Sequence, residues 1–383
     1  MEYLISLVIL GLIAIFLFLD RKNIKREGII FLRRSYLLIE KIEKFSKKHS
    51  KILNLVGIFA VIIGFIVMFY SFYFLFSLLF VKTEVPAVQI VLPSLPGLCQ
   101  SNFILCVPPI YWILSIFIIA FSHEIMHGLL AAANRIKIKS IGYAFFLILP
   151  AFFVEPNEKQ LKKAKSLDKL KVYAAGSFGN FLTAIFVFLL IYLIFILLSN
   201  FYKPYGLEVE IIPNSSAEKS NLKGIILFVD NREATIKNLV EVLKTKNESD
   251  YINITTTEGN YTIKLENRKI GIIIKREIYF SENSFLNNTF IKDLFDYSKN
   301  FSLCFLGNSI YCNFVFNSFF VWLIILSIGI GVFNLLPIKP LDGGLMIDEL
   351  LKIFFPNHHS KISNLISLFG IILILILIFK PYF

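Results

Sequence analysis

The sequence is poor in charged residues. Of its 383 residues only 17% are Asp, Glu, Lys or Arg, below the roughly 25% of ordinary soluble domains, and 56% are hydrophobic. This composition excludes an ordinary soluble protein and predicts a polytopic membrane protein. Acidic residues are especially scarce, with 27 Asp and Glu against 39 Lys and Arg. The basic residues lie between apolar runs instead of forming one basic domain, so the sequence predicts no nucleic-acid partner.

Apolar runs are abundant, and six of them approach or exceed the roughly 20 residues that a membrane-spanning helix needs. They are residues 3–19, 52–80, 111–133, 172–199, 314–337 and 362–379. The first run lacks a basic amino-terminal region and a small-residue cleavage site, so it is expected to be a retained helix. A shorter apolar stretch, residues 141–154, contains Gly142 and Pro150 and predicts a re-entrant or interfacial hairpin.

The loops between these runs predict which side of the membrane they face. Residues 21–51 hold eleven Lys and Arg and residues 135–171 hold nine, so both loops are expected in the cytoplasm. Both termini and residues 81–110 and 200–313 then lie outside. All four cysteines fall in these outer segments, where disulfides can form, but Cys99, Cys106, Cys304 and Cys312 allow three pairings. Every Asn-x-Ser/Thr sequon falls there too, either as a glycosylation site or by chance. The predicted location is the cell membrane.

The residues His123-Glu124-Ile125-Met126-His127 lie in the middle of the third run. Residues four apart share one face of a helix, so His123 and His127 can bind one Zn²⁺ while Glu124 serves as general base. Ionisable side chains inside a membrane are costly and usually functional. A packing or proton-relay role is the alternative for the two histidines. The third ionisable group beside them favours metal-dependent hydrolysis inside the membrane, nearer the cytoplasmic side.

A catalytic zinc site needs a third protein ligand. Asp342 is the best candidate, because it follows the fifth run in a segment where Pro337 and Pro340 interrupt the helix. The two glycines after Asp342 permit a tight turn behind its carboxylate. The other imidazoles are less favourable, since His49 lies in a basic loop and His358 and His359 lie beyond the fifth run.

These residues resemble the site-2 protease family of intramembrane zinc metalloproteases. The resemblance covers most of the chain from about residue 111 to 346. It rests on the His-Glu-x-x-His helix, on Asn334-x-x-Pro337-x-x-Pro340-x-Asp342-Gly343, and on Gly176-Ser177-Phe178-Gly179-Asn180 between them. Family members often have Pro where this chain has Ser177. The resemblance implies that His123, His127 and Asp342 bind one zinc ion and that Glu124 activates the attacking water.

Asn180 has two readings. The resemblance implies that it positions the substrate or stabilises the oxyanion, with Gly176 allowing the helices to approach closely. The residues alone favour a plainer reading, because small and polar residues in membrane helices commonly pack against and hydrogen-bond to neighbouring helices.

The outer segment between the fourth and fifth runs contains a small mixed α/β region. Strands are predicted at residues 207–212, 225–229, 251–257, 261–265 and 270–274, and a helix at 236–244. The run from Ser215 to Gly224, followed by a strand, Asp230-Asn231-Arg232 and a helix, looks like a PDZ domain. Such domains capture peptides by strand addition. A glycosylated spacer without a ligand is the alternative.

The resulting fold prediction is an all-α polytopic membrane protein with about six transmembrane helices and an inserted PDZ-like domain. Residues 1–110 are a transmembrane pair with its loops, 111–199 and 314–383 the two parts of the catalytic membrane core, 205–279 the PDZ-like domain and 280–313 an outer connector. Residues 29–51 are predicted to form a basic amphipathic helix on the inner membrane surface, or a solvated connector.

The predicted function is zinc-dependent endoproteolysis of single-spanning membrane proteins within the lipid bilayer. The alternatives are a metal-ion transporter that uses the His, Glu and Asp cluster, and an inactive relative that only binds membrane helices. A transporter should offer several ligand sets along a path. The intact Glu124 argues against the inactive relative.

Overall fold

The structure is a computed structural model that describes residues 11, 20, 24–27, 30–36, 38–82, 86, 88–94, 99, 104–146, 149–280 and 319–380. The chain divides into two compact units. The membrane unit comprises Met1–Val187 and Phe319–Phe383, and the inserted unit comprises Phe188–Ser318.

The helices of the described residues are, in chain order, α1 (Ile39–Lys48), α2 (Ser50–Ser77), α3 (Pro109–Ala133), α4 (Glu158–Lys163), α5 (Ser166–Ser199), α6 (Ser216–Lys219), α7 (Ile236–Thr245), α8 (Phe319–Asn334), α9 (Asp342–Phe354) and α10 (His359–Phe379). The strands are β1 (Lys25–Glu27), β2 (Ile30–Ser35), β3 (Ile90–Pro93), β4 (Ile104–Val107), β5 (Ile138–Phe146), β6 (Leu149–Pro156), β7 (Lys203–Ile211), β8 (Ile226–Val229), β9 (Arg232–Glu233), β10 (Tyr251–Thr256), β11 (Gly259–Lys264) and β12 (Ile272–Phe280).

Four of the described helices are long and apolar enough to cross a membrane. They are α2 with the 3₁₀ turn that follows it, α3, α5 and α10, and they match the second, third, fourth and sixth apolar runs. Helix α8 lies within the fifth run, and its described part has 16 residues. The first run lies almost wholly outside the described residues. The chain is therefore a multi-pass membrane protein, and the number of its spans stays a prediction.

The membrane unit also contains strands, so the expectation that it is all-α is wrong. Strands β5 and β6 form the antiparallel hairpin predicted for residues 141–154, with Ile141 opposite Val154. Strand β2 pairs with the other edge of β5, and β1 pairs with β2. The predicted helix over residues 29–51 is correct for α1 and wrong for Ile30–Ser35. Aromatic and β-branched residues there favour a strand, and the edge of β5 supplies its partner.

A disulfide joins Cys99 and Cys106, with Cα atoms 5.9 Å apart. Cys106 lies in β4, which pairs in parallel with β3. The structure thus selects one of the possible partners for Cys99. Cys304 and Cys312 lie outside the described residues.

Small residues bring α2, α5 and α9 close together. A Cβ atom on Gly64 of α2 would lie 3.0 Å from Met346 of α9 and 3.5 Å from Ala174 of α5. Ala60, Ala174 and Met346 are each at most 1% exposed. Without a hydrophobic driving force between helices in lipid, such close packing is what holds them together. This packing places the start of α9, which carries Asp342, beside α5.

The inserted unit is built on an antiparallel sheet with the strand order β11-β10-β8-β7-β12, and β9 pairs with β8. Strands lie at all five predicted runs, and α7 covers the predicted helix. Its core contains Leu207, Ile226, Ile252 and Ile263, which are fully buried. The side-chain oxygen of Thr235 caps α7 by accepting a hydrogen bond from the backbone N–H of Asn238. The mixed secondary structure predicted for this region is confirmed.

Candidate metal centre

Helix α3 places His123 and His127 one turn apart on the same face. The helix starts with Pro109 in its first turn, where the missing N–H is tolerated, and its apolar sequence continues past both histidines. The two Nε2 atoms lie 3.1 Å apart. The spacing of four residues therefore produces the convergent pair that the sequence predicts.

Asp342 reaches this pair from the start of α9. Its Oδ2 atom lies 3.3 Å from Nε2 of His123 and 3.4 Å from Nε2 of His127. The segment between α8 and α9 is non-helical, as the prolines predict. A Cβ atom on Gly343 would lie 2.0 Å from the carbonyl oxygen of Leu335, so the turn behind Asp342 admits only glycine. The structure brings together the three groups that the sequence predicts as ligands.

The donor set fits a zinc ion. Zinc binds nitrogen and oxygen at about 2.0–2.2 Å, and tetrahedral angles then separate its ligand atoms by about 3.3–3.5 Å. The three separations in the protein are 3.1, 3.3 and 3.4 Å. The Oδ2 atom of Asp342 is buried and accepts no well-aligned hydrogen bond from the described residues. An unsatisfied carboxylate oxygen beside two imidazole nitrogens is an arrangement that a divalent cation stabilises.

Glu124 lies next to the pair and is held by the hairpin. Its Oε2 atom accepts a hydrogen bond of 2.9 Å from the backbone N–H of Val154 in β6. Glu124, His123 and His127 have carboxylate and imidazole atoms within 4.8 Å of one another. That grouping alone would allow Glu124 as a ligand. Asp342 Oδ2 lies within 3.4 Å of both histidine Nε2 atoms, whereas the Oε2 atom of Glu124 is engaged by the backbone N–H of Val154.

The face of α5 that lies against the two histidines contains Val172, Gly176 and Asn180, each of which follows the one before it by four residues. The Nδ1 atom of His127 lies 2.7 Å from the carbonyl oxygen of Val172. The Nδ1 atom of His123 lies 3.2 Å from the side-chain nitrogen of Asn180. Helix α5 therefore contacts the ring nitrogen of each histidine that points away from Asp342.

Gly176 leaves the space that the two rings fill. A Cβ atom at this position would lie 2.3 Å from Nε2 of His127 and 2.5 Å from Nε2 of His123. Non-bonded atoms do not approach this closely, so any side chain at this position would displace the imidazoles. The sequence predicts a close helix approach at Gly176, and the structure shows that the groups approaching it are the histidines themselves.

We expect Gly176→Ala to weaken zinc binding and cleavage together, each by at least about 10- to 100-fold, the range seen when metal ligands lose their orientation. Gly329→Ala on α8 is the matched control, because no described heavy atom lies within 4 Å of its Cβ position. Zinc content after dialysis and cleavage rate would be compared. Normal zinc binding by Gly176→Ala would contradict the close packing of α5 on the rings.

Two ionic clusters hold α9 in place. Glu349, 8% exposed, accepts hydrogen bonds from Ser166 and from Lys169, which is 5% exposed, at 2.7 and 3.2 Å. Breaking a buried pair of this kind leaves an uncompensated charge and is strongly destabilising. This pair could not be predicted from the sequence, because its two charged residues lie about 180 residues apart and show no local pattern that joins them.

The second cluster fixes the segment before Asp342. The Oδ1 atom of Asp348 lies 2.8 Å from Nζ of Lys339 and 3.1 Å from Nδ1 of His359. Burial acts to raise the pKa of the Asp348 carboxyl, but hydrogen bonds and charge from Lys339 and His359 outweigh it and hold that pKa below its usual range. His359 therefore contacts Asp348 and not the candidate metal centre. His49 packs against Phe45, with ring centroids 4.7 Å apart.

A family model described as Peptidase family M50 matches residues 111–377, which is more than half of the chain. The chain belongs to peptidase family M50. The resemblance to site-2 proteases is thereby confirmed, and the family consists of membrane zinc metalloproteases. An uncharacterized protein of Methanocaldococcus jannaschii is 26% identical over 367 residues, which cover 91% of this chain and 86% of that protein.

The M50 match starts at the first residue of the predicted catalytic span and continues into α10. It contains the histidine pair, Glu124, Asn180 and Asp342, and it also includes the inserted unit. Membership of family M50 establishes the class of metalloprotease.

Proposed function

We propose that this M50 protein is a zinc-dependent endopeptidase that hydrolyses peptide bonds within the membrane. The observation that carries the proposal is the convergence of His123 Nε2, His127 Nε2 and Asp342 Oδ2 within 3.4 Å of one another at an apolar spanning helix. Three protein ligands with a fourth position open are the usual catalytic zinc arrangement. One zinc ion per chain is proposed.

When bound, zinc would supply Lewis-acid chemistry and lower the pKa of water so that a nucleophile forms near neutral pH. Glu124 would take the proton of the attacking water. Its carboxylate is a non-ligand beside the histidines, and the hydrogen bond from the backbone N–H of Val154 to Oε2 fixes its orientation. The other oxygen, Oε1, remains the atom proposed to receive the proton.

The substrates that we propose are single-spanning membrane proteins. Their spanning helix has all its backbone groups paired, so a stretch of it must unwind before a peptide bond can reach the site. The sheet of β1, β2, β5 and β6 lies in the same unit as the zinc site. The basic loops support a topology in which the site lies nearer the cytoplasm, water enters from that side and the released product is cytoplasmic.

The competing proposal, a metal transporter, can be tested on the same preparation. Purified protein in liposomes would be supplied with zinc outside and with a single-spanning test substrate in the bilayer. We expect cleavage products and no zinc accumulation in the lumen. Zinc uptake without cleavage would instead support the transporter. Among the described residues, the group of His, Cys, Asp and Glu side chains that could hold a metal ion is His123, Glu124 and His127, with Asp342 beside it. A single site of this kind favours the protease.

We further propose that the inserted unit contains a PDZ-like module that selects substrates outside the membrane. Its antiparallel sheet ends at β12, whose one strand partner among the described strands is β7. An edge strand offers backbone groups to which an extended peptide can add. The loop charges support a topology in which the module lies outside the membrane, so we propose that it filters substrates and takes no part in bond breaking.

Replacing the module with a flexible Gly/Ser linker should leave cleavage of a short test substrate largely intact and admit substrates with bulky outer domains. The replaced segment should run from Lys203 to Phe280, because β7 and β12 pair along their whole length between these ends. Cleavage rates of the short and bulky substrates would be compared in both proteins. Loss of all cleavage in a folded, zinc-loaded variant would contradict the filter role.

A further inference from the structure

Asn180 lies in the interior of the membrane unit with half of its amide unpaired. The residue is 0% exposed. Its nitrogen, Nδ2, lies 3.2 Å from Nδ1 of His123. Its oxygen, Oδ1, is buried and has no hydrogen-bond partner among the described residues. Buried amide oxygens are nearly always paired, so this one requires an explanation.

The protonation state of His123 explains the unpaired oxygen. If His123 holds zinc through Nε2, as proposed above, its remaining proton is on Nδ1. The Nδ1–H group would then face the NH₂ group of Asn180, and two donors cannot bond to each other. Rotating the amide by half a turn exchanges Oδ1 and Nδ2 without changing the volume that the side chain occupies. After that rotation Oδ1 accepts a hydrogen bond from His123 and is no longer unpaired.

His127 already has an oxygen acceptor for its Nδ1–H group. Nδ1 of His127 lies 2.7 Å from the carbonyl oxygen of Val172, which can only accept. His127 therefore carries its proton on Nδ1 and presents the lone pair of Nε2 to the metal position. Val172 and Asn180 lie two turns apart on the same face of α5, and each would offer an oxygen to one histidine. An acceptor behind each metal-binding histidine fixes its tautomer and its ring orientation.

We propose that Asn180 is a positioning residue: its Oδ1 accepts the hydrogen bond from Nδ1–H of His123 and so fixes that ring for zinc. This inference rests on the proposed zinc site. It differs from the role that the site-2 protease resemblance implies, in which the amide acts on the substrate or the oxyanion. An oxyanion partner must donate through Nδ2, whereas a positioning partner must accept through Oδ1. The two roles therefore require opposite ends of one side chain.

Asn180→Asp separates them, because a carboxylate accepts hydrogen bonds and donates none. Asn180→Leu removes both functions at similar size. Thr183→Val is the matched control one turn further along α5, where the hydroxyl donates a hydrogen bond to the carbonyl oxygen of Gly179 in its own helix and to no other group among the described residues. Zinc affinity would be measured by competition with a chelator, and cleavage rate on the same samples. We expect Asn180→Leu to lose about 10- to 100-fold in zinc affinity, as loss of such a partner does.

The Asp variant should keep zinc affinity near the wild-type value and retain cleavage, and Thr183→Val should behave as wild type. Asn180→Leu with zinc affinity near the wild-type value would overturn the inference, and with loss of cleavage it would favour the oxyanion role instead. Asn180→Asp with zinc affinity as weak as that of Asn180→Leu would overturn it as well. If the Leu variant does not fold, the zinc affinity of the Asp variant still tests the inference. Wild-type protein that binds no zinc would instead defeat the proposed function itself.

Discussion

Glu124→Gln should retain zinc and lose cleavage by about 10²- to 10⁴-fold, the usual contribution of a general base. Gln has the same shape as Glu and keeps a carbonyl oxygen, so the hydrogen bond from the N–H of Val154 can persist. The fold and the histidine pair are therefore left intact. The variant removes the carboxylate that we propose takes a proton from the attacking water.

The measurement is zinc stoichiometry and single-turnover cleavage on the same purified samples. Because the variant removes the proton acceptor without removing a proposed ligand, zinc content separates the two roles. Full zinc with cleavage near the wild-type rate would show that another group is the base. Loss of zinc together with cleavage would make Glu124 a ligand, the role that its place beside the histidines alone allows.

Asp342→Ala should abolish cleavage and also lower the zinc content. Removing a residue that only orients a ligand costs about 10- to 100-fold in metal affinity, and removing a ligand should cost more. The carboxylate lies 3.3–3.4 Å from both histidine nitrogens, so its loss leaves two protein ligands. Alanine at this position also removes an acidic residue from the first turn of α9, which costs some helix stability.

Asp348→Asn is the matched control, since Asp348 lies on the same helix but contacts Lys339 and His359 instead of the site, and Asn keeps an oxygen that can accept both hydrogen bonds. We expect it to keep zinc near the wild-type stoichiometry. Zinc analysis and circular dichroism of both variants would separate metal loss from unfolding. Unchanged zinc in Asp342→Ala, with collapse on replacing His358 or His359, would contradict the ligand assignment.

Local patterns explain why the metal-centre geometry could be predicted. A spacing of four on a helix places His123 and His127 on one face whatever surrounds the helix. The prolines and glycines around Asp342 require a break in the chain, and only a cavity-lining position tolerates a break at membrane depth. The strands of the inserted unit were predicted because their sequences alternate apolar and polar residues between clear turn signals.

Contacts between distant segments explain what could not be predicted. The strand at Ile30–Ser35 exists because β5 supplies a pairing edge more than a hundred residues later, which local helix propensity cannot report. The hydrogen bond between Val154 and Glu124 and the buried pair of Lys169 and Glu349 likewise join segments far apart in sequence. Asn180 was found from the sequence, but its partner and the atom it uses depend on where α5 lies against α3.

Zinc-dependent cleavage within the membrane is tested most directly by mapping the cut in a single-spanning test substrate by mass spectrometry. Wild-type protein would be stripped of metal with a chelator, assayed, and assayed again after one equivalent of zinc is restored. We predict products whose new ends lie within the apolar segment, no cleavage after stripping, and recovery with zinc. Cleavage that persists without metal, or cuts confined to the loops outside the membrane, would contradict the account.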